Sequence, residues 1–131
     1  FLKALAEKGG YIGVYAVPGF LTSNATTTID DWLDHLDYIV NLVGIDYVGI
    51  GSDFYGYSVP DNLAIKIGEF IDALGFRPED KASFLTKIEG FDQYKKFPNL
   101  IKGLISRGYS NQEIKKLAGE NFLRLFKKVV G

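Results

Sequence analysis

Only two stretches of this chain read as β-strands, and one helical pattern lies between them. Tyr11-Ile-Gly-Val-Tyr-Ala-Val17 is rich in β-branched and aromatic residues and stops at the turn signal Pro18-Gly19. The second stretch covers residues 45–52, an apolar run broken by Asp46 and Gly49. The order helix, strand, helix, strand predicts βα units with a parallel sheet, an α/β fold. Two strands alone do not make a stable parallel sheet. Their edges keep unpaired hydrogen-bonding groups and an apolar face stays uncovered. The chain is therefore expected to pack against other protein, either further strands or another copy of itself.

The helices are bounded by recognisable signals. Phe1-Leu-Lys-Ala-Leu-Ala-Glu-Lys8 reads as the middle or end of a helix closed by Gly9-Gly10. After a polar loop from Thr22, Thr28 is the predicted N-cap of the central helix, with Asp30 and Asp31 where the helix dipole favours negative charge. Trp32, Leu36, Ile39, Val40 and Val43 recur at helical spacing, and Gly44 closes the element. Beyond Gly56 the chain reads as mostly helical. Leu63, Ile67, Phe70, Ile71 and Leu74 form an apolar stripe ended by Gly75, and Pro78-Glu79-Asp80 reads as the first turn of a short helix. Gly90 to Phe97 is an aromatic loop, and Pro98 opens a helix ending near Gly108. Ser110-Asn-Gln-Glu113 is a capping box that starts a last helix, or two short ones around Gly119, ending near Val130.

Composition narrows the class. The 131 residues, 47% hydrophobic and 15% aromatic, suffice for one domain with a core and exclude a disordered chain. With 15 basic and 16 acidic residues, no nucleic-acid partner is indicated, and Lys95-Lys96, Lys115-Lys116 and Lys127-Lys128 read as solvated helix faces. Cysteine is absent, which excludes disulfides and thiolate metal sites. No uninterrupted apolar run is long enough to span a bilayer. There is no methionine, so Phe1 is not expected to be a translation start, and the chain is expected to be a piece of a longer protein. A signal peptide is thereby left open, with a cytoplasmic setting as the default expectation.

Residues 48–56, Val-Gly-Ile-Gly-Ser-Asp-Phe-Tyr-Gly, carry the chemistry. A buried strand ends in one carboxylate, Asp53, followed by a turn at Gly56. In parallel barrels that strand end is where catalytic groups sit, and a carboxylate there serves as acid/base or metal ligand. The competing reading is an Asp that caps its own turn. His35, the only histidine, lies mid-helix between Asp34 and Asp37. That grouping is compatible with a metal site or with a structural histidine bonded to backbone or carboxylate. One histidine and scattered carboxylates do not make a hydrolytic zinc site, so no metal ligand is assigned here.

Several stretches resemble the C-terminal third of the membrane (renal) dipeptidase family of zinc peptidases. They are Gly9-Gly10-Tyr-Ile-Gly-Val14, Pro18-Gly-Phe-Leu21, Asp34-His35-Leu-Asp37-Tyr-Ile39 and Val43-Gly44-Ile-Asp46. Val48-Gly-Ile-Gly-Ser-Asp53-Phe follows, similar to the family's Gly-(Gly/Ser)-Asp-Phe-Asp-Gly. Then come Pro98-Asn-Leu-Ile, Arg107-Gly-Tyr-Ser110 and Gly119-Glu-Asn121-Phe-Leu-Arg124-Leu-Phe126. Each match is weak alone; they run in family order along nearly the whole chain.

The resemblance implies a (β/α)8 TIM-type barrel with a two-zinc centre that hydrolyses dipeptides. Residues 1–131 would be its C-terminal segment, incomplete alone: the end of helix six, strands seven and eight, and the closing helices. The family's zinc ligands come from earlier strands, and none maps onto this chain; its substrate-binding Arg also falls upstream of Phe1. Asp53 maps onto the family's catalytic Asp, implying that it orients or deprotonates the zinc-bridging water and then protonates the leaving amine. The second Asp that often follows the Phe is Tyr55 here. The usual Asn after strand seven is Tyr15, and a pocket aromatic falls on Phe20. Tyr15, Phe20, Tyr55 and Gly56 are thus the candidate substrate-binding residues. Phe20, Tyr55 and Tyr57 line an apolar pocket or simply pack in long loops. In the family the His-Leu-Asp pattern is not a ligand set, which favours a structural His35, and Asn121 and Arg124 read as packing contacts. Two functions stay open: a zinc dipeptidase segment, and a non-enzymatic barrel fragment that assembles with itself or a partner chain.

Overall fold

Glycine closes the first helix through its backbone. In a computed structural model, which describes residues 1–22, 24, 26–54, 61–75 and 87–131, α1 spans Leu2–Glu7. Gly9, at φ 77°, donates to Ala6 O, and Gly10 donates to Leu5 O. This is the paired terminal bonding of a Schellman motif, which needs a left-handed residue at Gly9. The reversal feeds β1, Ile12–Tyr15, shorter than the predicted 11–17. A 3₁₀ turn, Pro18–Phe20, leaves it.

The central helix α2, Ile29–Val43, starts where its signals place it. Thr28 and Asp31 form a reciprocal capping box, and Gly44, at φ 93°, ends the helix. Its buried face is Trp32, Leu33 and Leu36, with Ile39, Val40 and Val43 packed half-buried behind them. Leu33 is the addition to the predicted stripe. It packs where α4, Phe97–Ser106, offers Gly103: a Cβ there would meet Leu33 Cδ1 at 2.6 Å. The predicted second strand divides into a 3₁₀ turn, Ile45–Tyr47, and β3, Val48–Gly51.

β1 and β3 pair in parallel, with Ile12 opposite Val48 and Tyr15 opposite Gly51. A right-handed βαβ crossover is the usual way to join such strands, and α2 is the helix between them. A second parallel pair was not anticipated: β2, Thr27–Thr28, lies beside β4, Ile88–Glu89. The stretch 22–28 is thus not all loop. The core runs between these layers through Val14, Trp32, Leu36, Val48, Ile88, Phe91, Leu100, Leu104 and Leu117.

α3, Asp61–Ala73, carries the stripe predicted beyond Gly56. Leu63 and Ile67 are half-buried, but Phe70 and Leu74 are exposed. The helix predicted to start at Pro78 lies outside the described residues. The C-terminal helix divides near Gly119, as the sequence allows: α5, Asn111–Lys115, a π turn over Lys116–Glu120, and α6, Asn121–Val130. Gly119 holds the non-helical conformation at this junction. The π turn lies on β3. A Cβ at Gly49 would collide with the Tyr11 ring and with Leu117 O, so glycine lets Tyr11 and the turn cover the strand.

Candidate active site

β3 ends at Gly51, and Asp53 follows with φ 57°. Among the described residues it is the single non-glycine residue with positive φ. Asp tolerates this left-handed region better than most residues, yet the conformation still has to be held by its surroundings. The Asp53 side chain is exposed and has no hydrogen-bond or ion-pair partner among the described residues.

The two sides of Asp53 are anchored. Upstream, Gly51 is held in register beside Tyr15. Downstream, the Phe54 ring lies edge-on to Phe91 at 5.0 Å and to Tyr94 at 5.6 Å. Phe91 in turn meets Trp32 edge-on at 5.7 Å, which ties this aromatic group to α2. The Tyr94 hydroxyl donates to Phe54 O at 3.1 Å. Phe54 and Tyr94 were not among the predicted site residues. The signal was present: Phe91, Tyr94 and Phe97 recur every three residues in the stretch read as an aromatic loop.

Because β1 and β3 are parallel, Tyr15 and Asp53 leave the same edge of the sheet. Tyr15 is half-exposed there, and Phe20 is half-exposed in the turn that follows β1. Tyr55 and Gly56 lie outside the described residues.

Several other polar groups singled out in the sequence have partners elsewhere. His35 Nε2 lies 2.7 Å from Leu21 O, where it donates to the carbonyl. Asp34 and Asp37 turn to Arg107, each 2.6 Å from its Nη1. Asn121 is buried and donates to Ile45 O and Val48 O, and Arg124 donates to Gly9 O, Gly10 O and Asp46 O. These two residues hold the turn into β3. Among the described residues no three His, Cys, Asp or Glu gather to hold a metal ion. The described residues therefore do not fit a metal centre of their own. A shallow groove lined by Lys3, Ala6, Glu7, Leu42, Val43 and Tyr47 involves the residue that enters β3, not the edge that carries Asp53.

These features define an α/β chain with a lone carboxylate at the C-terminal edge of a parallel strand pair. A family model for the membrane dipeptidases (Peptidase family M19) matches residues 1–77 and 73–130, and the chain belongs to that family. The family is one of metallo-dipeptidases, which hydrolyse peptide bonds. Dipeptidase ataJ of Aspergillus terreus is 32% identical over 130 residues, covering 98% of this chain and 25% of that protein. Among solved structures, an amidohydrolase from Pseudomonas aeruginosa superposes with a TM-score of 0.72 at 31% identity, covering 96% of this chain and 38% of that one. A metallopeptidase from Rhodobacter sphaeroides, liganded with a phosphinate mimic of the dipeptide L-Ala-D-Ala, has a TM-score of 0.68 at 24% identity. It covers 96% of this chain and 29% of that one, and its likeness is one of fold. The chain spans well under half the length of each relative.

Proposed function

We propose that residues 1–131 are the C-terminal segment of a (β/α)8 barrel that hydrolyses dipeptides or small peptides, and that Asp53 handles its proton. The observation that carries this is the exposed carboxylate, held in a left-handed conformation just past the C-terminal end of a parallel strand. Barrel enzymes draw their catalytic groups from that edge. The dipeptidase name of the Aspergillus relative supports a small peptide as substrate.

Peptide hydrolysis moves protons in two places. Water loses one as its oxygen bonds to the carbonyl carbon. The amine nitrogen gains one as the C–N bond breaks. A single carboxylate performs both transfers in turn, first as base and then as acid. An exposed Asp53 with no competing partner among the described residues suits this role. A zinc centre held by the rest of the barrel would supply polarisation of the carbonyl and a lowered pKa of water. The ligands for its two ions belong, in this reading, to earlier strands outside this chain. Tyr15 and Phe20, at the edge that β1 leaves, would face the substrate in this reading.

The test is Asp53→Asn in the full-length protein. Asn keeps the shape and also tolerates positive φ. Zinc content and KM should stay near wild type while kcat falls by about 100-fold or more. Near wild-type turnover with full zinc would mean that Asp53 only shapes its turn.

A further inference from the structure

We infer that Tyr94 is a positioning residue for Asp53, acting through the backbone of Phe54; this rests on the proton-handling role proposed above. Asp53 precedes Phe54 directly, so whatever fixes Phe54 fixes the peptide that follows the Asp53 Cα. Two contacts from one short loop do so. The Phe54 ring is wedged between Phe91 and Tyr94. Its carbonyl accepts the Tyr94 hydroxyl at 3.1 Å. That carbonyl sits next to a residue in a conformation that does not persist unless its neighbours hold it.

The loop is itself braced. Asn99 donates to Gly90 O at 3.0 Å, and Lys96 pairs with Asp92 at 2.6 Å. Burial alone would raise the Asp92 carboxyl, but the hydrogen bond and charge of Lys96 outweigh it and hold the group below the ordinary Asp value. Tyr94 stacks on Phe97 at 6.0 Å, the first residue of α4, so its ring stands on a helix end. Tyr94 is half-exposed. Its ring removes less surface from water than a core aromatic does, which leaves the hydroxyl bond as its specific contribution. A carboxylate that must meet first a water and then an amine has to be aimed within a fraction of an ångström. The Tyr94 bond supplies that aim from a part of the chain 40 residues away.

The experiment is a double-mutant cycle in the full-length protein, with Tyr94→Phe and Asp53→Asn made singly and together. Tyr94→Phe keeps the stacked ring and removes only the hydroxyl. In the wild-type background it should lower kcat about tenfold through misaimed proton transfer, with KM nearly unchanged and Tm lowered by at most about two degrees, since the bond is exposed and contributes little to the fold. In the Asp53→Asn background it should change kcat by less than about twofold, because there is no longer a carboxylate to aim. A tenfold loss that persists in that background would overturn the inference, as would no loss in wild type. So would a loss accompanied by a clear fall in Tm, since Tyr94 would then be holding the fold. Failure of the underlying reading looks different: Asp53→Asn alone would keep its turnover.

Discussion

Arg107 gathers three carboxylates that α2 places on one face. Asp30, Asp34 and Asp37 are spaced by four and three residues, the spacing that aligns side chains along a helix. The guanidinium lies 2.6 Å from Asp34 and Asp37 and 3.2 Å from Asp30, while Tyr109 donates to the other oxygen of Asp37 at 2.7 Å. Burial disfavours the charged guanidinium, but its bonds to Asp37, Asp34 and Asp30 prevail and hold its proton more tightly than usual. Burial and the Asp37 charge likewise push the Tyr109 hydroxyl up. Asp30 and Asp34 are mostly exposed, so their pairs contribute little; Asp37, at 30% exposure, carries most of the effect. Arg107→Met should therefore destabilise the full-length protein by about 1–2 kcal/mol in urea unfolding. Arg107→Lys should recover only part, because one ammonium cannot span three carboxylates with a fork's geometry. A loss under about 0.5 kcal/mol for Arg107→Met, the usual range for a surface change, would mean the cluster is solvated charge. At this scale the sequence was informative where chemistry is local. It singled out Asp53 as a candidate through its strand-end context, a role that stays a proposal, and it favoured a structural His35 bonded to backbone, as His35 is to Leu21 O. It could not reveal the left-handed φ of Asp53 or the hand that Tyr94 lends to Phe54, because that bond joins residues 40 positions apart.

Elements with capping chemistry were legible, and elements defined only by partners were not. Thr28, Gly44, Gly9-Gly10 and the Ser110–Glu113 box all mark helix ends where the sequence placed them. β2 and β4 escaped because each is two residues long, too short for any alternation of apolar and polar positions to register. The π turn over Lys116–Glu120 escaped as well; Gly119 signalled a break but not the turn's fit over Gly49. The Thr28 cap can be tested directly. Thr28 NH and its hydroxyl both donate to Asp31 Oδ2, at 2.7 and 2.8 Å, and these bonds, the backbone one first, hold the Asp31 carboxyl below its ordinary value of 3.8. Thr28→Ala should cost about 1 kcal/mol at neutral pH. The sign of the pH dependence follows from the depressed pKa. The stabilisation from the Asp31 carboxylate is present above 3.8 and is lost as the pH falls through the lower folded value. The stability gap between Thr28→Ala and wild type should thus narrow in acid. A gap that stays constant down to that range would remove the bond from the Thr28 hydroxyl to the ionised Asp31 from the account; the backbone bond is common to both proteins.

On the scale of the whole chain, apolar surface is left without cover. Phe122, Leu123, Phe126, Val129 and Val130 on α6 are about half-exposed or more, as are Ile65 and Phe70 on α3 and Leu74 just past its end. Helices of a stable soluble domain turn such residues inward, and contiguous exposed patches mark surfaces that meet other protein. The β1–β3 pair has one partner per strand, which leaves an open edge on each side among the described residues. A two-stranded parallel sheet with this exposure does not stand alone in water. No helix among the described residues is long and apolar enough to cross a membrane. We therefore expect residues 1–131, expressed alone, to associate or to unfold over a broad range. We also expect them to retain no stoichiometric zinc after dialysis against a weak chelator, since one His and dispersed carboxylates cannot replace a hydrolytic ligand set. Sedimentation velocity at two concentrations, urea unfolding and metal analysis would measure this together. The same residues within the full-length protein should unfold cooperatively and hold zinc. A monodisperse, cooperatively unfolding monomer of the isolated chain would mean that the α3 and α6 faces find cover within these 131 residues, and the segment-of-a-barrel reading would fall with it.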